Sequence, residues 1–255
     1  MRFASLGSGS SGNCMVIEQA STRLLLDCGF SVKETIARLA RLMLEPHQIS
    51  GILVTHEHDD HAKGAFKLAE KLNIPVWLSH GTRIMSSRYL PKTPIQIKMV
   101  DSHTSFVIGE IQITPFPVPH DAREPTQFVF SDGQHRLGVL TDVGITTPHI
   151  QQVLTGCDAL VLECNHDLSM LERGPYSDAL KKRVGGHLGH LDNQSAANLL
   201  ATLDNSKLKH IIAAHLSAKN NTQALAKSAL SQALKCDVDW IGIATQEAGF
   251  GWRSL

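Results

Sequence analysis

The amino-acid sequence predicts an α/β fold in which two β-sheets pack face to face and helices cover their outer surfaces. One observation is an antiparallel meander predicted over residues 95–141, where short apolar strands follow one another through tight turns. The other is that the segments on either side of this meander mix strands with amphipathic helices. Sheets of this kind bury one face against another sheet and the other against helices. No linker interrupts the chain, so we expect one domain over residues 1–255.

The first half is predicted to begin with three strands and a helix. A loop of glycine and serine at residues 7–13 separates the first two strands. Ser31 and Glu34 form a capping box that predicts the start of a helix, and Pro46 follows its last apolar residue. The strands are predicted at residues 1–6, 14–18 and 23–26. Further elements are predicted as a strand at 51–54, a helix at 63–72, a strand at 75–78 and a helix at 82–89.

The remaining elements comprise the meander and a mixed second half. The meander strands are predicted at residues 95–100, 105–108, 110–116, 126–130 and 136–140. The second half is predicted to contain helices at 148–154, within 168–184, at 194–203 and at 222–234, and strands at 159–162, 210–213 and 238–243. Its order of elements resembles that of the first half.

Composition narrows the class of protein. The formal net charge is zero and the pI is about 7.2, so no overall field draws the chain to nucleic acid or to an anionic membrane. No segment has the length and apolar character of a signal peptide or a membrane span, and we expect a cytoplasmic protein without membrane association. The five cysteines are scattered and odd in number, which argues against a disulfide framework or a zinc ribbon.

Residues 55–61 carry the strongest functional signal. Three histidines and three acidic residues fall within seven positions, directly after an apolar run that is predicted as a buried strand. His56 and His58, two apart in an extended chain, point the same way and are suited to bind one ion. Asp60 and His61 follow where the helix begins, so their side chains diverge from that pair toward a second ion. Such crowding is unfavourable without a cation.

Three more metal-binding side chains follow predicted strands elsewhere. His120 follows Pro119, Asp142 follows the strand that ends at residue 140, and His215 comes after an apolar run at 211–214. We predict that His56, His58 and His120 bind one ion. Asp60, His61 and His215 bind the other, and Asp142 bridges them. Imidazole with carboxylate suits zinc or manganese, with iron as a third candidate.

With these ligands the sequence resembles the metallo-β-lactamase superfamily, whose H-x-H-x-D-H signature residues 56–61 match. Further segments resemble the YycJ/WalJ branch. They are residues 6–13, 165–167, 189–193 and 215–221. The resemblance implies a four-layer αββα sandwich and 5′-to-3′ exonuclease activity on DNA, more than on RNA. Asp192 departs from the pattern, since serine is expected there, which affects the expected geometry around His190. The sequence leaves the oligomeric state open.

The expected reaction is hydrolysis of a phosphodiester by a hydroxide that bridges two divalent ions, with Asp60 as part of the catalytic centre. His190 is predicted to protonate the leaving group or to donate to the phosphate, and the family resemblance supports this role over a structural one. Substrate contact is also predicted for the glycine and serine loop, although a flexible turn has the same composition, and for His166, which could equally make local hydrogen bonds. The loop residues are Ser8, Ser10, Ser11 and Asn13.

Supporting roles are predicted for three acidic residues and one basic run. Asp27, Asp121 and Glu163 are placed to orient ligand histidines, although each could also satisfy a backbone donor. The basic residues 181–183 either contact phosphate or form a solvated helix face.

Two other functions remain open on the sequence alone. A small-molecule hydrolase acting on a cyclic phosphodiester, a thioester or a lactone would use the same ligands. The other possible function is non-catalytic: the protein would bind nucleic acid and be stabilised by its metal. Structural zinc sites are normally closed by four protein ligands, whereas this set leaves room for water and substrate, which favours an enzyme.

Overall fold

Two seven-stranded sheets form the centre of the computed structural model, which describes residues 1–255. The first sheet has the order β14-β1-β2-β3-β4-β5-β6 and the second has the order β13-β12-β11-β10-β9-β8-β7. The strands of the first sheet are β1 (Arg2–Gly7), β2 (Cys14–Gln19), β3 (Thr22–Leu26), β4 (Gly51–Leu53), β5 (Val76–Ser79), β6 (Ile97–Val100) and β14 (Phe250–Ser254). Those of the second are β7 (Phe106–Ile108), β8 (Ile111–Pro117), β9 (Thr126–Ser131), β10 (Arg136–Leu140), β11 (Ala159–Glu163), β12 (His210–Ala214) and β13 (Gly242–Ile243).

Each sheet combines an antiparallel part with a parallel part. In the first sheet β14, β1, β2 and β3 pair antiparallel, and β3 to β6 pair parallel. The second sheet repeats this arrangement, with β7 to β10 antiparallel and β10 to β13 parallel. Parallel strands end at a common sheet edge, where α/β proteins bind their ligands. Both sheets therefore offer such an edge.

Nine α-helices accompany the strands, and seven of them begin after a Ser, Thr or Asp whose side chain accepts a hydrogen bond from the first turn of the helix. The helices are α1 (Val32–Arg41), α2 (Asp59–Ala62), α3 (Ala65–Leu72), α4 (His80–Met85), α5 (Pro148–Leu154), α6 (Leu168–Arg173), α7 (Asp178–Val184), α8 (Asn193–Thr202) and α9 (Gln223–Leu234). Short 3₁₀ helices cover Pro46–Gln48, Ser86–Tyr89 and Val238–Trp240. None of the helices has both the length and the apolar character that crossing a bilayer requires.

Three apolar layers hold the elements together. Side chains from both sheets, such as Phe3, Phe128 and Val161, form the layer between them. A second layer joins the outer face of the first sheet to α1 and α3, and a third joins the second sheet to α5, α8 and α9. Burying one large apolar side chain contributes roughly 1.5–3 kcal/mol. The order helix, sheet, sheet, helix confirms the predicted αββα sandwich.

One predicted element differs from the structure, and one element of the structure was not predicted. The strand predicted at residues 238–243 is wrong over its first part, because Asp237 accepts a hydrogen bond from Asp239 N and caps a 3₁₀ turn there. Only Gly242–Ile243 pairs with β12. The sequence analysis also missed β14 at the C-terminus, which pairs with β1 on the first sheet. Its central residues are exposed and partly charged, so the segment lacks a buried strand pattern.

Candidate metal centre

The seven predicted ligand side chains lie together where the carboxyl ends of strands from both sheets meet. The loop after β4 carries His56, His58, Asp60 and His61. The other three follow strands of the second sheet. His120 comes after β8, Asp142 after β10 and His215 after β12. The donor atoms form groups in which all atoms lie within 4.8 Å of one another.

The first group contains three imidazoles, those of His56, His58 and His120. Nε2 of His56 lies 3.0 Å from Nδ1 of His58, and Nε2 of His120 lies 3.3 Å from the same nitrogen. Their outer ring nitrogens have other partners. Nδ1 of His56 contacts Thr55 Oγ1 at 2.9 Å, and Nδ1 of His120 lies 3.0 Å from Gly189 O. The three inner nitrogens thus converge on one point.

The second group combines Asp60, His61 and His215. Oδ2 of Asp60 lies 3.4 Å from His61 Nε2 and 3.6 Å from His215 Nε2. Asp142 lies between the two groups, because its Oδ2 is 3.2 Å from His61 Nε2 and its Oδ1 is 4.0 Å from His120 Nε2. The structure therefore brings together the two sets and the shared carboxylate that the sequence predicts, and their role as ligands stays a prediction.

The donor set fits divalent metal ions. Ligands held tetrahedrally at 2.0–2.1 Å from zinc are separated by about 3.3–3.4 Å, close to the donor distances in both groups. Oδ2 of Asp142 and Nε2 of His215 are buried without a hydrogen-bond partner. Such atoms are rare in folded proteins because their desolvation is unfavourable. A cation between these residues would satisfy both atoms.

Protonation equilibria differ between the groups. Burial lowers the pKa of His56 well below its usual range, and lowers that of His120. Burial would also lower the pKa of His215, but Asp142, Asp60 and Glu163 outweigh it and raise that pKa to about 10. His56 and His120 are therefore held as neutral imidazoles, the form that binds metal, whereas the carboxylates around His215 favour positive charge.

Two buried carboxylates accept hydrogen bonds from predicted ligand histidines, and their predicted orienting role stays a prediction. Nδ1 of His61 donates to Asp27 Oδ2 at 2.8 Å, and the same carboxylate accepts from Thr55 N. Nδ1 of His215 donates to Glu163 Oε1 at 2.9 Å. These bonds turn Nε2 of each ring toward the centre. Asp121, the third predicted orienting residue, contacts a different ring nitrogen. Its Oδ1 lies 3.4 Å from Nε2 of His120, the nitrogen that points into the first group.

The glycine and serine loop supports the centre more than it faces the cavity. Ser8 is buried and its Oγ accepts from His215 N at 3.0 Å. Asn13 is also buried, and its Nδ2 donates to Asp60 Oδ2 at 3.2 Å. Ser11 is exposed outside the cavity, and its N donates to Gln246 Oε1. Of the four predicted substrate contacts in this loop, the structure places only Ser10 in the cavity wall.

A cavity of about 410 Å³ opens beside the donor groups. His190 lines it, with Nδ1 donating to Glu163 Oε1 at 2.9 Å, so Glu163 holds both His190 and His215. His166, predicted to contact substrate, is 1% exposed, lies 3.3 Å from Asn165 Oδ1 and does not line the cavity. The lining residues are Ser10, His58, Asp59, Asp60, Arg88, Asp121, Asp142, Tyr176, Leu180, Arg183, Val184, Gly189, His190 and His215.

The sequence analysis missed Arg88 and Tyr176, which lie far from every motif and line the cavity. Of the basic residues 181–183, only Arg183 reaches the cavity, while Lys181 Nζ donates to Glu172 O.

Asp192, which stands where serine is expected, caps α8 by accepting from Gln194 N and Ser195 N. Serine caps helices in the same way, so the substitution keeps this local structure.

Comparisons with known proteins agree with this geometry. A family model described as a β-lactamase superfamily domain matches residues 22–215. The exodeoxyribonuclease YycJ of Bacillus anthracis is 36% identical over 98% of this chain and 91% of its own length. The chain belongs to the metallo-β-lactamase superfamily, in its YycJ/WalJ branch. The exodeoxyribonuclease WalJ of Streptococcus pneumoniae is 33% identical over 88% of this chain and 85% of its own length.

Solved structures show the metallo-β-lactamase fold again. The metallo-β-lactamase fold protein YhfI from Bacillus subtilis superposes with a TM-score of 0.74 at 15% identity, over 99% of this chain and 98% of that one. At this identity the likeness concerns the fold alone. Together with the branch of the superfamily, the His and Asp groups able to bind metal make this YycJ/WalJ-branch protein a metal-dependent hydrolase.

Proposed function

We propose that the protein is a dinuclear metal-dependent phosphodiesterase that degrades DNA from its 5′ end. The observation that carries the proposal is Asp142, which lies between an imidazole group and a mixed group at the edge of an open cavity. The relatives described as exodeoxyribonucleases support DNA as the substrate. We further propose zinc or manganese as the metal, residues 1–255 as one hydrolase domain, and a cytoplasmic location.

Two divalent ions bound at these groups would supply hydroxide at neutral pH and neutralise charge on the phosphate during attack. The chain's own residues set the geometry. Asp27 and Glu163 fix the rings of His61 and His215, so their Nε2 atoms cannot rotate away. The nitrogens that would hold the ions are therefore in place before substrate arrives, which is how preorganised sites lower reaction barriers.

His190 is the residue we assign to the leaving group. Glu163 accepts from its Nδ1, which fixes the ring and leaves Nε2 as the nitrogen that faces other partners. The side chain is 22% exposed and lines the cavity, so substrate reaches it. An imidazolium in this position protonates or stabilises the departing sugar oxygen, a role that typically contributes 10²- to 10⁴-fold in rate.

A strand-end assay tests the proposal. Protein loaded with manganese or zinc is given the same single-stranded DNA labelled either at the 5′ or at the 3′ end. Early release of small labelled nucleotides from the 5′-labelled DNA alone is expected. The His58→Ala variant, which removes a nitrogen common to both close contacts of the first group, serves as the inactive comparison. Equal activity of wild type and this variant, or release that starts at the 3′ end, would refute the proposal.

A further inference from the structure

One wall of the cavity is apolar, in contrast to the charged donors opposite. Tyr176, Leu180 and Val184 line it. Leu180 and Val184 lie four residues apart on α7, and Tyr176 lies outside the helix, two residues before its first residue. Residues four apart share one face of a helix. We call these three residues the α7 wall.

The side chains of the α7 wall are not packed into the protein core. None of the residues of α7 is buried, and all three wall side chains remain partly exposed. The helix therefore presents apolar surface to a cavity that otherwise carries histidines, carboxylates and arginines. Ligand sites pair apolar surface with a few polar groups that fix orientation, so this wall matches a ligand with one flat apolar face.

The tyrosine ring of the wall is supported from outside the cavity. Tyr176 is the only aromatic residue besides histidine that lines the cavity. Nζ of Lys219 lies 5.8 Å from the centre of its ring, and Lys219 is not a lining residue. A cation at this distance attracts the ring and helps to hold its orientation. The ring is thus placed as a stacking surface.

Two arginines at the cavity supply positive charge. Arg88 Nη2 donates to Asp59 Oδ1 at 2.7 Å, and Arg183 Nε donates to Asp121 Oδ2 at 2.6 Å. Their side chains are 61% and 64% exposed, so each guanidinium keeps donors available to solvent. Guanidinium groups bind phosphate oxygens through paired hydrogen bonds. The cavity therefore combines an aromatic wall with sites for phosphates beyond the one that reacts.

We propose that the α7 wall stacks the base of the 5′-terminal nucleotide, the one that cleavage releases, with Tyr176 as the residue that makes the contact. This inference rests on the proposed phosphodiesterase function. A base that stacks on Tyr176 has left its own helical stack, so the wall accepts an unpaired strand end rather than the end of an intact duplex. Contacts between a base and an aromatic side chain tolerate every base, as a nuclease that degrades DNA of any sequence requires.

The test compares two single-stranded DNA substrates, one with an intact 5′-terminal nucleotide and one with an abasic residue at that position. Wild-type protein is expected to cleave the abasic substrate with a kcat/KM lower by roughly five- to 150-fold, the range of one stacking contact. Tyr176→Ala should lose a similar factor on intact DNA and nothing further on abasic DNA. Tyr176→Phe keeps the ring and should retain the preference for the intact substrate.

Leu168→Ala provides the matched comparison, because Leu168 is 57% exposed on α6 and lies outside the cavity lining. It should behave as wild type with both substrates. The proposal is overturned if Tyr176→Ala discriminates between the substrates as strongly as wild type. It is also overturned if removing the base does not slow wild-type cleavage.

An equilibrium measurement separates this inference from the proposed reaction. Protein in EDTA is titrated with dAMP and with 2-deoxyribose 5-phosphate, which lacks the base. Tighter binding of dAMP by wild type but not by Tyr176→Ala supports the wall even if no DNA is cleaved, in which case only the proposed reaction fails. Equal affinities of wild type for both compounds overturn the wall, whatever the cleavage assay shows.

Discussion

The two sheets contribute to the metal centre in different ways. The first sheet supplies four donors from the single loop after β4, between His56 and His61. The second supplies His120, Asp142 and His215, each alone after a different strand. One contribution is encoded locally and the other depends on how distant strands align. The four donors of the loop are therefore specified by a short segment of the chain. The three donors of the second sheet come together only when that sheet has assembled.

The means of support differ accordingly. The loop of the first sheet is held by Asp27 and by the start of α2 at Asp59. On the second sheet the donors Asp142 and His215 themselves adopt left-handed backbone conformations, with φ of 55° and 54°, whereas on the first sheet the left-handed residue is the supporting carboxylate Asp27, with φ of 61°. Such conformations are unfavourable for residues other than glycine and are concentrated at functional sites. They turn the two side chains from strand ends toward the loop of the first sheet.

The largest effect is expected from Asp142→Asn, because this residue lies between both donor groups. Replacing the carboxylate removes charge from both, and activity should fall by more than about 100-fold, the upper limit for residues that only orient ligands. Metal content and DNA cleavage are measured together. Asp239→Asn, at a side chain that is 91% exposed, should leave both unchanged. Retained metal and activity in Asp142→Asn would show that Asp142 does not bridge the two donor groups.

The next prediction compares the two orienting carboxylates. Asp27→Asn acts on His61 of the first sheet, and Glu163→Gln acts on His215 of the second. Each should cost roughly 10- to 100-fold in metal affinity or activity. Glu163→Gln should cost more in cleavage at saturating metal, because Glu163 also holds His190. Identical losses at saturating metal would argue against a separate role for His190.

His190 itself is tested by substitution with glutamine. Activity should fall by about 10²- to 10⁴-fold with little change in metal content, because the side chain acts on the leaving group rather than on the metal. His187→Gln is the matched variant, since His187 is an exposed histidine three residues earlier that does not line the cavity. Loss of metal in His190→Gln would instead identify His190 as a ligand, within the group that it forms with Asp142, Glu163 and His215.

A smaller effect, on the free energy of unfolding, is expected from a substitution that disturbs the close packing beneath the loop after β4. A Cβ at Gly29 would lie 1.8 Å from Asp60 O, so the loop must move to admit a side chain. Gly29→Ala should lower the free energy of unfolding by about 1–3 kcal/mol, the range for overpacking, and weaken metal binding through Asp60. In Gly251→Ala the added atom meets nothing within 4 Å. Thermal melting with and without metal distinguishes these outcomes.

The smallest effect is expected at the far end of the first sheet. Burial raises the pKa of Glu18, but hydrogen bonds from Arg2 and Arg23 outweigh it and lower that pKa below its ordinary value of 4.5. The stabilisation is therefore present above about pH 4.5 and is lost as the pH falls through the folded-state pKa. Each cross-strand pair contributes roughly 0.2–1 kcal/mol.

Acid titration of thermal stability checks this last prediction. Glu18→Gln should be less stable than wild type at neutral pH and should approach it below pH 4.5. Glu247→Gln, at a side chain that is 89% exposed, should follow wild type throughout. A Glu18→Gln variant whose deficit does not shrink in acid would show that the two arginines do not stabilise the carboxylate.

The difference between the sheets also explains what the sequence could predict. His56, His58, Asp60 and His61 are close in sequence, so their spacing alone indicates two ions. The other ligands needed the prediction that β8, β10 and β12 end at one edge of a sheet. Ser8 and Asn13 were predicted to contact substrate because glycine and serine loops often do. In the structure their side chains hold His215 and Asp60, a contact between distant segments that local composition does not indicate.

Residues of the cavity wall were harder to predict. Tyr176 and Arg88 occur in surface segments with no motif, and only the packing of the helices brings them to the donors. β14 escaped prediction because it is an edge strand in which only Phe250 is buried, so its apolar pattern is weak, and its pairing with β1 joins the two ends of the chain. Helices and central strands were predictable, since their apolar periodicity reflects burial that is present throughout the element.

Anomalous diffraction from crystals of the metal-loaded protein tests the account most directly. Two peaks are expected about 3.5–4 Å apart, as in two-metal hydrolases. One should be bound by His56, His58 and His120, and the other by Asp60, His61 and His215, with Asp142 contacting both. A single peak at full occupancy, or peaks that lie away from His120, Asp142 and His215, would contradict the dinuclear centre between the two sheets.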